Sequence, residues 1–218
     1  MTDFQDCSNL GKRFREQYDY AEFNEEDAHS DPFYQFKEWF FQNEVKSLTP
    51  NAMTLSTLSK DLQVHSRIVL LNAFSPDGFI FYSNYESQKG QDLTIYENAS
   101  LQFFFEKQQR VVRLQGAVVK SSRDDSLTYF RSRPKDSQLA AYVSQQSRKV
   151  SSREEMMSLY HDAKRQFKDR DVPLPDYWGG YCFKPHYFEF WQGRPNRLHD
   201  RLVYVVENKR WKISRLFP

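Results

Sequence analysis

The sequence predicts an α+β fold built on an antiparallel β-barrel with helices packed outside it. Two patterns carry this reading. Short runs rich in Val, Ile, Phe and Thr follow one another along the chain, and the helical stretches are grouped instead of alternating with strands. Size sets a third bound: 218 residues allow one large domain or two small ones, and one compact core is the default.

Residues 1–30 carry eight acids against three bases and little apolar periodicity, so they read as a flexible N-terminal arm ahead of one domain spanning 31–218. A helix opens at Asp31-Pro32, where an N-cap acid precedes a proline at the first helical position, with Phe33, Phe36, Phe40 and Phe41 at helical spacing. It should end before Thr49-Pro50. Strands follow over 52–59, 66–74, 79–83, 101–106 and 110–120, and Pro76-Asp77-Gly78 supplies a hairpin turn. Short helices over 124–132 and 136–145 are separated at Arg133-Pro134, because proline disfavours helix in the residue before it. A longer helix begins at Ser152 with Glu155 completing a capping box, and is expected to bury Met156, Leu159, Tyr160, Ala163 and Phe167. Strands return over 181–183, 188–192, 201–207 and 210–216, the last two joined at Asn208-Lys209.

Composition removes several function classes. Lys and Arg total 31 against 29 acids, a formal charge of +2, so no global basic field points to nucleic acid. Aromatic residues make up 17% of the chain, which supplies core material and sets aside disorder. Cys7 and Cys182 lie far apart with no metal-ligand spacing, so neither a disulfide framework nor a metal site is expected. With no secretory signal and no run approaching the ~20 apolar residues of a membrane span, a soluble cytoplasmic protein is expected.

The chain has no glycine-rich phosphate loop, no nucleophile elbow and no zincin motif, and only seven glycines. A bound phosphate would therefore be held by side chains. Candidates are Arg67, Tyr82-Ser83, Lys89, the Tyr129, Arg131, Arg133 and Ser137 group around a helix break, and the Arg197, His199 and Arg201 loop. Arginine offers a planar fork and serine a short hydroxyl, a donor set suited to a dianionic phosphate. Taken singly, each is as well explained by a solvated surface or a helix-dipole partner.

Their order changes the odds. Arg67-Ile-Val-Leu-Leu, Phe81-Tyr82-Ser83-Asn84, Ser87-Gln88-Lys89, Tyr129-Phe130-Arg131-Ser132-Arg133-Pro134 with Lys135-Asp136-Ser137-Gln138, and Val143-Ser144-Gln145-Gln146-Ser147 together resemble the pyridoxamine/pyridoxine 5′-phosphate oxidase family. Val172-Pro173-Leu174-Pro175, Trp178-Gly179-Gly180, Glu189-Phe190-Trp191-Gln192-Gly193, Asn196-Arg197-Leu198-His199-Asp200-Arg201 and the closing Arg215-Leu216-Phe217-Pro218 extend the resemblance over residues 31–218. It implies a split β-barrel homodimer with FMN in clefts at the dimer interface, oxidising a phosphorylated pyridine with O2. In that family FMN would be held by the positions of Arg67, Ile68, Val69, Leu70, Leu71, Asn72, Tyr82, Ser83, Lys89, Gln146, Ser147, Trp191 and Arg201. Tyr129, Arg133 and Ser137 would grip the substrate phosphate, the catalytic pair Arg197 and His199 would flank the pyridine ring, and Arg15 and Tyr18 would belong to a lid.

Three positions depart from the pattern. Asn72 stands where the family has Lys, Gln88 where it has Arg, and Val111 where an Arg-Gln-Val-Arg strand would place Gln. Loss of one charged hydrogen bond to a buried phosphate costs ~1.5–3 kcal/mol, so weakened flavin and substrate binding is the expectation. The alternative is a catalytically weakened or non-enzymatic paralogue that binds pyridoxal 5′-phosphate or FMN. The retained Arg133, Ser137, Arg197, His199 and Arg201 favour the oxidase.

Overall fold

The computed structural model describes residues 17–44 and 48–218. Nine strands form one antiparallel sheet: β1 (Ala52–Leu58), β2 (Val64–Leu70), β3 (Ala73–Ser75), β4 (Gly78–Asn84), β5 (Asn98–Phe105), β6 (Arg110–Lys120), β7 (Trp178–Gln192), β8 (Asp200–Glu207) and β9 (Arg210–Arg215). The order is β2-β1-β5-β6-β7-β4-β3, with β8 also on β7 and β9 beyond it. This curled antiparallel half-barrel, with helices packed against it, bears out the α+β, antiparallel-barrel class that the strand pattern predicts.

The curl comes from β7. Its first half pairs with β4 and its second half with β8, while β6 runs along the opposite edge of both. The β6–β7 register shifts between Gln115 and Gly116, opposite Pro185. Such a shift bends a strand and increases its twist. A side chain at Gly116 would overlap the Lys184 carbonyl, so the close approach of the two backbones requires glycine here.

The concave face holds the main core. Alternate residues of the strands, among them Leu55, Phe79, Phe81, Phe103, Phe105, Leu114, Phe183 and Phe190, meet helix α1 (Pro32–Glu44) through Phe33, Phe36 and Trp39. Asp31 starts that helix by accepting a 2.8 Å hydrogen bond from the Phe33 amide, as its N-cap position predicts. The Phe36 ring lies 4.9 Å from each of Phe74, Phe79 and Phe103. Helices α2 (Gln88–Ile95), α3 (Arg123–Ser132), α4 (Lys135–Val143) and α5 (Arg153–Gln166) complete the described helices. A second, smaller core of Phe130, Leu139, Ala163, Phe167 and Trp178 joins α3, α4 and α5 to the start of β7.

Several expectations change. The strands expected at 181–183 and 188–192 are one continuous strand, β7, because its Lys184–Tyr187 stretch is still paired although polar. The strand expected over 66–74 breaks after Leu70, where Leu71 and Asn72 turn the chain into β3. Helix α2, which the strand reading passed over, starts at the N-cap Ser87. On α5, Ala163 and Phe167 are buried as expected, but Met156 and Leu159 remain 43% and 45% exposed. They face a groove under the 144–151 loop instead of the core. Residues 17–30 lie along the domain, with Phe23 in the main core. Among the described residues no helix is long and apolar enough to cross a membrane.

Phe36→Ala removes a fully buried ring that four other rings contact, so a loss of about 3–5 kcal/mol is expected in urea unfolding, with little change in the slope.

Candidate active site

Three side-chain groups stand out. The first lies where β4 meets α2. Lys89 is only 8% exposed, and its Nζ donates to Ser83 Oγ at 3.1 Å, Ser87 Oγ at 3.1 Å and Gln146 Oε1 at 2.7 Å. All three acceptors are neutral. Burial, then the charge of nearby Arg67, lowers the Lys89 pKa to about 8, against a smaller opposing pull from Asp92. Arg67 donates to Leu55 O at 3.2 Å and to Thr57 Oγ1 at 2.8 Å. Thr57 in turn gives its hydroxyl proton to Asp92 Oδ2 at 2.7 Å, leaving its lone pairs to the arginine. Burial alone would raise the Asp92 carboxyl, but hydrogen bonds from Thr57, Gln88 and His65 outweigh it and hold the group below its usual range. Gln88 thus serves Asp92, four residues ahead on the same helix.

The second group is an aromatic stack on the opposite face of the sheet. Successive strand residues point to opposite faces, so Tyr82 leaves its neighbour Ser83 to the first group and stacks on Tyr129 at 3.8 Å and Trp178 at 5.6 Å. The Arg133 guanidinium lies 4.8 Å from the Trp178 ring centroid. Its Nη1 is buried without a hydrogen-bond partner, and burial lowers its pKa. Arg133 caps the end of α3 and Ser137 sits in the first turn of α4, so the two flank the break that Pro134 makes.

The third group lies at the far end of β7. Trp191 and His199 have ring centroids 4.6 Å apart, and Tyr18 approaches both at 5.8 Å. His199 Nδ1 accepts the Arg194 amide at 3.1 Å, which in the neutral ring leaves the proton on Nε2. Burial, then Arg197, lowers the His199 pKa against the pull of Asp200. Arg197 itself is exposed on a turn where it and Asn196 both have positive φ. Arg201 Nε donates to Glu189 Oε1 at 2.9 Å, and Arg113 reaches the same oxygen at 3.0 Å. The register aligns Phe104, Val111, Trp191 and Arg201 across four strands, so Val111 fills an apolar row.

The remaining expected positions separate. Along β2, Arg67 and Val69 face inward while Ile68 and Leu70 are 64% and 58% exposed on the outer face. Leu71 is buried; Asn72 is exposed, its amide donating to Ile80 O at 2.8 Å. Ser147 is an exposed residue with φ +71° beside Gln146, and Arg15 lies outside the described residues. Asp92 and Thr57 went unread in the sequence, and Glu189 entered only as part of a motif, with no role of its own. Asp92 had a usable signal: a helix started by Ser87 places residues 88 and 92 on one face.

Comparison with known proteins gives one family. A family profile described as "Pyridoxamine 5'-phosphate oxidase" matches residues 41–159, and one described as "Pyridoxine 5'-phosphate oxidase C-terminal dimerisation region" matches residues 178–218. The chain is 46% identical over 208 residues to the pyridoxine/pyridoxamine 5'-phosphate oxidase 1 of Hydrogenovibrio crunogenus, covering 94% of this chain and 96% of that one. It is also 46% identical over 213 residues to the pyridoxine/pyridoxamine 5'-phosphate oxidase of Rhodopirellula baltica, with the same coverages. Among solved structures, PhzG from Burkholderia lata 383, in complex with tetrahydrophenazine-1-carboxylic acid, superposes with TM-score 0.85 at 26% identity, covering 91% of this chain and 98% of that one. A pyridoxamine 5'-phosphate oxidase-related, FMN-binding protein from Nostoc punctiforme shares the fold, with TM-score 0.70 at 13% identity over 88% of this chain and all of that one. By sequence match along nearly its whole length, and by its fold, the chain belongs to the pyridoxine/pyridoxamine 5′-phosphate oxidase family.

Proposed function

We propose that the protein is an FMN-dependent oxidase that converts pyridoxine 5′-phosphate or pyridoxamine 5′-phosphate to pyridoxal 5′-phosphate. The observation that carries the reading, within this family, is the buried Lys89 ammonium surrounded by neutral oxygens. Taking a cation out of water is costly, and nothing in its hydrogen-bond shell repays that with charge. An FMN phosphate would. Lys89, Ser83, Arg67 and the Gln146-Ser147 loop would hold it, and Trp191 and Arg201 would meet the ring. Bound FMN would supply the redox chemistry, taking a hydride from the substrate C4′ and passing two electrons to O2 to give hydrogen peroxide.

The chain's own residues would bind and orient. Arg133, with one buried donor unpaired, suits the substrate phosphate, with Tyr129 and Ser137 beside it. His199, held neutral by its lowered pKa, presents Nε2–H as a donor to the pyridine ring substituents, and Arg197 adds fixed charge.

These groups lie toward opposite ends of β7. Trp178 and Ser83 mark the start of β7 and Trp191 its end, so about 40 Å of strand contour separates the phosphate residues from the ring residues, at ~3.3 Å per residue. An FMN molecule is far shorter. In a two-fold homodimer that sets the start of one β7 beside the end of its partner's, the groups would form two equivalent sites at the interface. The match of residues 178–218 to a dimerisation region supports this arrangement.

An absorption spectrum with added FMN, followed by pyridoxine 5′-phosphate, tests the reading. Bleaching without oxygen and aldehyde formation in air are expected; no flavin binding at high micromolar FMN would overturn it. Lys89→Met should weaken FMN strongly while leaving riboflavin affinity nearly unchanged. Because the lysine titrates near 8 when free of ligand, FMN binding must take up a proton above that pH. Affinity should therefore fall as pH rises past about 8 in the wild type and lose that limb in the variant. The same lowered pKa means that the unfolded chain binds the proton more tightly, so the charged lysine costs stability below pH 8 and less as pH rises toward 10.5. Ligand-free Lys89→Met should thus be more stable at pH 7 by roughly 1–3 kcal/mol, measured by urea unfolding. Asn72→Lys combined with Val111→Gln is expected to tighten FMN and substrate about tenfold or more, since each restores a polar or charged contact; titration of the double variant checks it.

A further inference from the structure

Residues 18–25 run across the mouth of the His199 loop, and the protein holds them there with dedicated polar contacts. Gln109, in the connection between β5 and β6, turns its side-chain carbonyl to the strap. Its Oε1 accepts the backbone N–H of Asp19 at 3.0 Å and of Tyr20 at 3.2 Å. The residue sits in the left-handed region at φ +54°, and its own carbonyl accepts the Gly193 amide at 2.8 Å, tying the latch to the start of the loop. Arg194 makes the second tie. Its side chain donates to Glu22 Oε1 at 2.7 Å, while its backbone amide donates to His199 Nδ1 at 3.1 Å. One residue therefore grips the strap and sets the histidine's tautomer. Between the two ties the Tyr18 ring settles over Gly193, where an added Cβ would lie 2.8 Å from Tyr18 Cγ, and reaches Trp191 and His199.

We infer that Gln109 and Arg194 are positioning residues that seat Tyr18 on His199 and Trp191, so that the strap closes the substrate-ring end of the site. The inference rests on the oxidase reading for its kinetic consequence, but the seating of Tyr18 does not. Gln109 contributes an acceptor and not bulk, so the charged acceptor of Gln109→Glu should serve as well, whereas the nearly isosteric Gln109→Met should not.

The test combines chymotrypsin cleavage after Tyr18 and Tyr20 in the folded protein with steady-state kinetics of the FMN-loaded enzyme. Gln109→Met should be cleaved several-fold faster, with KM for pyridoxine 5′-phosphate raised about three- to tenfold and kcat changed less than about twofold. Gln109→Glu should match the wild type in both assays. Glu22→Ala and Arg194→Ala should each loosen the strap by a smaller factor, about two- to fivefold, and the double variant should be no worse than the poorer single one. Wild-type cleavage in Gln109→Met, faster cleavage with unchanged KM, or a Gln109→Glu variant as loose as Gln109→Met would each overturn the inference. Absence of turnover in the wild type would instead overturn the oxidase reading, and cleavage alone would then decide whether Gln109 seats Tyr18.

Discussion

Strand β7 must serve three neighbours at once, and the rest of the structure follows from how it does so. A strand has two edges, so a fifteen-residue strand can hold three partners only if one edge is shared end to end. β4 takes the first half of that edge and β8 the second, and the bend at Gly116 and Pro185 lets the sheet curl between them. The curl encloses the aromatic core against α1. It also sends two tryptophans, Trp178 and Trp191, to opposite ends, each seating one cluster of the candidate side chains. The length that stabilises the fold is therefore the length that sets the two clusters at opposite ends of one strand.

Charge is placed with the same logic of incompleteness. Asp92 is buried yet fully served by Thr57, Gln88 and His65, and it steadies Arg67 through the Thr57 hydroxyl. Lys89, on the same helix, receives no such partner and titrates near 8. A protein selected for stability alone would not keep that ammonium among neutral oxygens, since removing it would relieve a desolvation cost. Arg133 repeats the pattern at the second cluster, stacked on Trp178 with a buried donor unpaired. Among the described residues, neither cation has a carboxylate in hydrogen-bond contact with it.

How much of this is legible in the sequence depends on range. The α1 start at Asp31-Pro32, the α3–α4 break at Pro134 and the hairpin at Gly78 are set by neighbours within a few residues, and they read directly. The continuity of β7 does not, because its middle is polar and its pairing with β6 is decided by residues some seventy positions away. Met156 and Leu159 sit on the apolar face of α5 but meet a groove, since the 144–151 loop stands off from that part of the helix. Among the motif residues, Ser83 with Lys89, Tyr82 with Tyr129, and Trp191 with His199 come together as three clusters. Which of them share a face is a matter of strand parity and long-range register: adjacent Tyr82 and Ser83 serve different groups.

The three departures from the family pattern are absorbed locally in different ways, and the differences say where function has room to vary. Gln88 is not an arginine lost but a donor gained by Asp92, so an ordered carboxylate stays behind Arg67. Val111 continues an apolar row between Phe104 and Trp191, replacing a polar reach with packing on the outer face of the sheet. Asn72 alone has no such compensation: it is exposed at the turn into β3, and only its backbone amide is engaged there. Lys37, on α1, lines the same groove as Asn72. Lys89 among its three neutral oxygens and Arg133 on Trp178 lie outside that groove, so the change at Asn72 leaves both arrangements as they are.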